Sequence, residues 1–362
     1  MKFIFMWRNL LKTKSIVVAI CIFIIYSEWL AYIILPFLWP SLKCGYLKKM
    51  YNILLVADPQ ILGEINEPWI ARWDSDRYLT KTFKAALYYT QPQLIIFLGD
   101  LMDEGSKADS DQYQRYYQRF QKIFQLNYIS RNHTIFIPGD NDIGGEDEDV
   151  TPTKVSRFKS HFGHVDVIDQ RKIQIIHANK IERKVPKVIP LANNDNRTRL
   201  AISHMPLLGL PSTFSAEVMH NVLPHIIFSA HDHKSVHFAA NMKTKERFLI
   251  EPLESNSFAN DNPTWMFQMT DTNLNEIVVP TCSYRMGVGK TGYGLASIDE
   301  EGNTMCYYVL WLPKRLSHIF VYVIVLVITS LVISCALCLR CCSVKGTRYR
   351  KLMDPDIIFE KV

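Results

Sequence analysis

Gln93-Leu-Ile-Ile-Phe-Leu-Gly-Asp-Leu-Met-Asp103 is the stretch on which the reading of the fold turns. Its apolar run, Leu94 to Leu98, lies between Pro92 and Gly99 and is short, continuous and rich in branched side chains. Such a run predicts a strand buried on both faces. It stops on Asp100. Upstream, Tyr51-Asn-Ile-Leu-Leu-Val-Ala57 has the same character and stops on Asp58-Pro-Gln60. Downstream, Thr134-Ile-Phe-Ile-Pro138 stops on Gly139-Asp140-Asn141-Asp142. Helical stretches around Asp76 to Tyr89 and Asp111 to Leu126 separate the three. Strands alternating with helices imply a parallel or mixed sheet covered by helices, with ligands at the carboxyl ends of the strands. All three of those ends carry aspartate.

After a short helix, Arg157 to Phe162, the chain turns to extended runs: Asp166 to Ile181, Leu200 to His204, His225 to Ser229 and Val236 to Ala240. More follow at Phe248 to Glu251, Trp265 to Met269, Glu276 to Ser283, Tyr293 to Asp299 and Met305 to Leu312. The second half therefore predicts a second sheet packed on the first. The expected fold is α/β, two packed mixed β-sheets flanked by helices.

Two later strand ends bring imidazoles: Ser203-His204 and Ala230-His231-Asp232-His233. Aspartate oxygens mixed with imidazole nitrogens suit Mn²⁺, Fe or Zn²⁺ better than Ca²⁺. Asp58, Gln60, Asp100, Asp140, His204, His231 and His233 are enough to hold two divalent ions through a shared carboxylate. Two such ions lower the pKa of a water between them and clamp phosphate oxygens, which is the need of phosphoryl chemistry.

The chain ends belong to another environment. Ser15 to Trp39, SIVVAICIFIIYSEWLAYIILPFLW, and Leu316 to Leu339 are each long enough, at about 1.5 Å per residue, to cross a hydrocarbon core. The first stays apolar through Trp39 without a small-residue cleavage site, so it predicts a retained anchor, not a signal peptide. Its one charge, Glu28, is a structural or interfacial group or, alternatively, a functional one. Lys2, Arg8, Lys12 and Lys14 precede the first span, and Arg340, Lys345, Arg348, Arg350 and Lys351 follow the second. Cytosolic ends result, residues 1–14 and 340–362, with a lumenal domain over residues 44–314 between transmembrane helices 15–39 and 316–339.

With 48% hydrophobic and 21% charged residues the chain is neither disordered nor fibrous. The net charge of +6 is too small and dispersed for a nucleic-acid partner. Sequons at Asn132 and Asn196 fall in the predicted lumenal segment. Of the eight cysteines, Cys335, Cys338, Cys341 and Cys342 crowd the cytosolic end of the second span, as palmitoylation sites or as plain membrane thiols. Cys44, Cys282 and Cys306 are lumenal, and a Cys282–Cys306 disulfide is expected.

In this order, Asp58-x-Gln60, Gly99-Asp100-x-x-Asp103, Gly139-Asp140-Asn141-Asp142, His204 and Ala230-His231-x-His233 resemble the calcineurin-like metallophosphoesterase family, whose blocks are DxH, GDxxD, GNH(D/E), a lone His and GHxH. The resemblance implies one metal on Asp58, Gln60, Asp100 and His233, and a second on Asp100, Asp140, His204 and His231. It makes Asp103 an orienting residue and puts Asn141 and Asp142 in the catalytic set. Gln60 stands where the family has histidine, which weakens the first metal's hold. Asp140 stands in place of an asparagine ligand, and Ala230 in place of glycine. Asn141 replaces the histidine that protonates the leaving group, and an amide cannot transfer a proton at neutral pH. His237 is the nearest spare histidine in sequence.

Two spans around a lumenal domain, with Gly139 to Glu146, Pro280 to Gly287 and Gly292-Tyr-Gly294, resemble the membrane phosphodiesterases that remodel glycosylphosphatidylinositol (GPI) anchors. That resemblance implies removal of an ethanolamine phosphate from a GPI mannose, with manganese in the site, in the endoplasmic reticulum, its exit sites and the Golgi. GPI-anchored proteins would be the substrates, and cargo receptors and coat machinery would meet the cytosolic tail. Arg285 and Lys290 are candidate phosphate holders, and Trp69 and Trp73 candidate sugar-stacking residues. A generic lumenal phosphodiesterase and a non-catalytic phosphoglycan receptor are the alternatives.

Overall fold

The computed structural model describes residues 15–42, 44, 50–129, 133–170, 172–186, 197–254, 265–269 and 272–352, by backbone alone at 336, 337 and 339–352. The asparagines of both sequons, Asn132 and Asn196, and the four amino-terminal basic residues lie outside the described residues. The chain forms two compact units, Met1–Pro313 and Lys314–Val362.

In the first unit, thirteen strands among the described residues form two sheets. The first sheet has the order β10 (Trp265–Gln268), β13 (Thr304–Trp311), β12 (Gly292–Asp299), β1 (Met50–Val56), β2 (Leu94–Phe97), β3 (Thr134–Phe136). The second runs β4 (Val167–Gln170), β5 (Ile173–His177), β6 (Thr198–Ile202), β7 (Ile226–Ser229), β11 (Asn273–Val278), β8 (Val236–Asn241), β9 (Arg247–Pro252). Strands β1 to β3 are mutually parallel, as are β5, β6, β7 and β11. Antiparallel neighbours complete each sheet, so both are mixed. The three runs that end on aspartate are β1, β2 and β3.

The expected division of the chain into a first-half and a second-half sheet needs correction. Strands β10, β12 and β13 close the first sheet, with β12 antiparallel to β1 from Met50↔Asp299 to Leu55↔Gly294. The β1 edge opposite β2 would otherwise leave the ladder groups of a largely buried strand unpaired, and β12 is the strand that pairs them. A helix over Thr213–Asn221, capped by Ser212, was also absent from the expected elements.

Period-two burial makes one core between the sheets. Ile53, Leu55, Leu94, Ile96 and Ile135 of the first sheet pack with Ile175, Leu200, Ile202, Ile226, Phe228 and Ile277 of the second. Among the described residues the helices include α1 (Ser15–Ile33, π-helical over Tyr26–Leu30 and followed by a single turn at Leu35–Leu38), α2 (Trp69–Thr90), α3 (Ser110–Ile123), α4 (Asp140–Ile143), α5 (Pro152–Phe162), α6 (Thr213–Asn221) and, in the second unit, α7 (Arg315–Leu352). Outside the first sheet, Phe97 contacts Phe83 of α2 and Phe120 of α3 at ring-centroid distances of 6.1 and 5.3 Å. Outside the second, Phe214, Val218 and Met219 of α6 pack with Ile176, Ala201 and Ile227. Ser15–Ile33, with mean hydropathy 2.2, and Arg315–Cys335, with mean hydropathy 2.6, are long and apolar enough to cross a membrane.

The disulfide joins Cys44 to Cys306, correcting the expected Cys282–Cys306 pair. Cys306 lies in a cluster with Cys44, Leu295 and Tyr308, on the face of β13 opposite the core residues Met305 and Tyr307. Cys282 follows β11 toward the strand ends, where its N–H donates to the Ala57 carbonyl. Its thiol is buried, free and pushed well up by that burial. Strand alternation thus separates two cysteines that sequence order had paired.

Candidate metal centre

The five strand ends with predicted ligands converge on one rim of the sandwich. Each ladder stops where its strand must turn its last side chains across the rim. Asp58, Gln60, Asp100, His231 and His233 have φ of 44°, 37°, 50°, 70° and 62°. Non-glycine residues avoid this left-handed region, which costs on the order of 1 kcal/mol or more apiece, and such strain gathers at functional sites. Two glycines admit the close approach. A Cβ at Gly139 would stand 2.1 Å from Asp100 Oδ1, and one at Gly99, at φ +93°, would stand 2.5 Å from His204 Nδ1.

Asp58, Asp100 and His204 form one ligand group, and Asp140, His204 and His231 a second, with the donor atoms of each within 4.8 Å of one another. Asp100 lies centrally. Its Oδ2 accepts from Gln60 Nε2 at 2.9 Å, and its Oδ1 accepts from the Asn141 backbone N–H at 3.0 Å and lies 3.5 Å from His204 Nε2. Asp140 Oδ1 is 3.0 Å from His204 Nε2 and 3.2 Å from His231 Nδ1. His233 stands beside Gln60, with 3.4 Å between the two Nε2 atoms. All seven predicted ligands therefore lie together.

Electrostatics show what the donors lack. Burial, partly offset by His204, pushes Asp58 up to about 8. Burial would lower His204, but Asp100 and the hydrogen bond to Asp140 outweigh it and raise the imidazole to about 10. Asp140 resists its own burial through the two histidines and is held far below the usual carboxylate range. Burial and the neighbouring histidines His231 and His204 press His233 down to about 4. His204 Nδ1 donates to the Leu98 carbonyl at 2.8 Å, which fixes the tautomer that presents Nε2 to the site. Asp58 Oδ2 is buried and has no hydrogen-bond partner. An unpartnered carboxylate oxygen, hard acidic donors, neutral-capable imidazoles and strained backbones fit divalent cations. Asp58, Gln60, Asp100 and His233 would hold one, and Asp100, Asp140, His204 and His231 the other.

The remaining predicted residues take different places. Asn141 is half-buried at the rim, and its Nδ2 donates to Asp100 Oδ2 at 3.1 Å. Asp142 is fully buried and accepts the N–H groups of Gly139, Leu101 and Met102 at 2.9, 3.1 and 3.0 Å. Its carboxylate thereby ties the β2 and β3 ends together. Burial, with Glu104, Glu67 and Asp100 near, raises Asp103 to about 6. Arg285 pairs with Glu67 at 2.7 Å and Lys290 with Glu254 at 3.1 Å. His237 is bonded at both nitrogens, to Glu251 and Asn275, a structural arrangement.

Sequence reasoning missed two supports. Glu276, on β11, is fully buried and accepts from Leu207, Leu208 and Gly209 at 2.7, 2.6 and 2.9 Å, anchoring the loop that follows His204. Thr281 Oγ1 donates to the Asp58 carbonyl at 2.8 Å. Both lie far along the chain from the groups they hold, and no local pattern marks them.

The calcineurin-like phosphoesterase family model matches residues 51–235, just over half of the chain and a range that includes the seven candidate ligands. The chain belongs to the calcineurin-like phosphoesterase family. Among relatives of this phosphoesterase, cell division control protein 1 of Saccharomyces cerevisiae is 26% identical over 275 residues, covering 69% of this chain and 56% of that protein. Metallophosphoesterase 1 of Ailuropoda melanoleuca is 27% identical over 183 residues, covering 48% of this chain and 44% of its own. The chain thus spans about half the length of the curated relatives it matches. A metallophosphoesterase from Sphaerobacter thermophilus superposes with a TM-score of 0.38 at 10% identity, over 74% of this chain and 91% of that one.

Proposed function

We propose that the protein is a metal-dependent phosphodiesterase that removes an ethanolamine-phosphate side group from a mannose of membrane-borne GPI. The observation that carries the hydrolytic reading is Asp100, buried among the candidate ligands with Oδ2 toward Gln60 and Oδ1 toward His204. Two divalent cations, for which manganese is our proposal, would supply an activated water and neutralise charge on the phosphate oxygens.

The chain's own residues do the rest. Leu98 and Asp140 hold the His204 ring by its two nitrogens. Asp142 fixes the backbone on which Asp140 and Asn141 sit. Asn141 offers an amide N–H at the rim and can steady an oxygen of the bound ester, but it has no proton to give the leaving group. Departure of an alkoxide then depends on another acid or on solvent.

The GPI reading is supported by the resemblance in the Gly139 to Glu146 and Pro280 to Gly287 segments, and by the apolar helices at both ends of the chain. A tethered domain meets a bilayer-confined glycan at raised effective concentration. On this reading both termini are cytosolic, the domain is lumenal in the early secretory pathway, and GPI-anchored proteins are the substrate. Cargo receptors and coat machinery would meet the tail.

The test is release of ethanolamine phosphate, measured by mass spectrometry, from GPI by the full chain in detergent with Mn²⁺, beside an Asp100→Ala control. Release by the parent and not by the control is expected. Cleavage of a soluble diester such as bis(p-nitrophenyl) phosphate without GPI trimming would replace this reading by a generic phosphodiesterase. Metal binding without turnover of either would leave a phosphoglycan receptor, a reading that Asn141 favours.

A further inference from the structure

Trp69, Trp73, Arg77 and Lys81 recur every fourth residue along α2 and so share one face. The carboxyl-terminal pair is covered by α1. Arg77 donates to the Glu28 carboxylate and Lys81 to the Glu28 carbonyl, and Lys81 Nζ also lies 4.8 Å from the Tyr32 ring centre. The amino-terminal pair is exposed: Trp69 by 69% and Trp73, whose ring has the Arg77 guanidinium 4.6 Å from its centre, by 53%, with Ile70 at 56% and Ile65 at 52% close by in the chain. Four large apolar side chains within nine residues make a patch that a soluble surface seldom carries without a use.

The contacts also give a direction. Glu28 meets Arg77, Tyr32 lies edge-on to Tyr78 at 6.1 Å, Trp39 packs on Tyr89 at 5.4 Å, and the Tyr89 hydroxyl donates to the Pro40 carbonyl at 2.7 Å. Partner numbers rise together, so α2 runs parallel to the chain from α1 through Pro40. At about 1.5 Å per residue, Trp73 and Trp69 lie about 6 and 12 Å beyond Arg77, toward the end of α1 that begins at Ser15. Toward that end, Ile22 and Ile25 of α1 are also exposed. The indoles therefore extend alongside the apolar helix in the direction of the bilayer, not away from it.

We propose that Ile65, Trp69, Ile70 and Trp73 form a membrane-docking wedge that inserts into the near leaflet of the bilayer crossed by α1. Indole rings with an apolar body and one N–H suit the headgroup boundary. The occupant is lipid because the patch continues the line of contact with α1, whose own exposed face is aliphatic. This inference rests on α1 entering the bilayer below Glu28, the stretch from Glu28 to Trp39 being packed on α2 outside the hydrocarbon. The wedge is also tied to the metal centre. Glu104 accepts the N–H groups of Ile65 and Asn66 at 3.0 Å each, Tyr284 donates to Asp74 at 2.8 Å, and the Thr281 that holds Asp58 lies on the same segment as Tyr284. Docking would set the height of the rim above the lipid, at a level suited to a lipid-linked phosphoester and indifferent to a soluble one.

The experiment reconstitutes the full chain in liposomes containing lipids brominated at shallow acyl positions and compares the parent with a Trp69→Phe/Trp73→Phe variant. The pair should account for roughly a quarter of the total emission, as two of seven tryptophans, and that share should be quenched in the parent and missing from the variant. Equal quenching of parent and variant overturns the proposal, whatever the activity. A Trp69→Asp/Trp73→Asp variant should raise KM for GPI in liposomes about tenfold while hydrolysing bis(p-nitrophenyl) phosphate at the parental rate. Loss of GPI trimming without any change in quenching would instead make the indoles glycan contacts and also overturn docking. Absence of turnover on both substrates in the parent counts against the phosphodiesterase reading and leaves the quenching result decisive for the wedge.

Discussion

Strands β5 and β6 run side by side in parallel, and each brings a buried histidine to its carboxyl end, with opposite results. His177 contacts the Val165 carbonyl through Nδ1 at 3.1 Å, and burial drives the imidazole down to about 4, so it stays neutral. His204 makes the same kind of contact with Leu98, yet Asp100 and Asp140 overcome its burial and raise it to about 10. The residue type, the depth and the local strand are alike. What differs is the opposite sheet, which sends three aspartate-bearing strand ends over β6 and β7. A histidine becomes a candidate ligand through what stands across the sandwich from it.

The sharpest way to break this contrast is Asp100→Ala, which removes the carboxylate facing both groups of ligands. Turnover should fall on the order of a thousandfold or more, with metal lost in elemental analysis, because a bound ion supplies several kcal/mol of charge stabilisation. Retained turnover and metal would show that His204 and Asp140 suffice without Asp100.

The next largest effect is expected at His177 and concerns stability alone. The folded state holds it neutral down to about pH 4, whereas the unfolded chain protonates near 6.5. The unfolded state therefore binds the extra proton between those values. The contribution is intact above pH 6.5 and falls by ~3 kcal/mol as pH drops to 4. Urea unfolding of the parent and of His177→Gln across that window reads it, and parallel pH slopes for the two would refute it.

Asn141→His sharpens the comparison from the chemical side. It would install an acid at the rim, with a gain of about a hundredfold on esters of poorly departing alcohols. Almost none is expected on p-nitrophenyl esters, whose leaving group needs no proton. Equal effects on both would place residue 141 in ground-state binding.

Much of this arrangement was readable from residue order. Continuous apolar runs that stop on aspartate could only be buried strands, and their β1, β2 and β3 bounds agree closely with the runs. The candidate donors that the structure brings together were readable because they follow the ends of such runs. Legibility failed where partners lie far apart. Strand β12 pairs with β1 across more than two hundred residues, and nothing in either run names the other. Cys282 and Cys306 looked like neighbours, but alternation along β13 turns Cys306 toward Cys44. Glu276 supports the His204 loop from another strand, and Glu28 finds Arg77 on a helix that the sequence reading began seven residues late, at Asp76 instead of Trp69.

By itself the sequence determined the alternation of strand and helix, the two apolar ends, and the identity of every donor at the strand ends, because these follow from local periodicity and from which residue succeeds each run. Tertiary structure alone decided which edges pair, which cysteine is free, and which buried histidine faces carboxylates. It also decided that the two exposed indoles of α2 lie alongside α1. Each of these depends on what is brought across a gap by a distant part of the chain, and a potential or a contact at that point is the sum over all neighbours in space, which chain order does not contain.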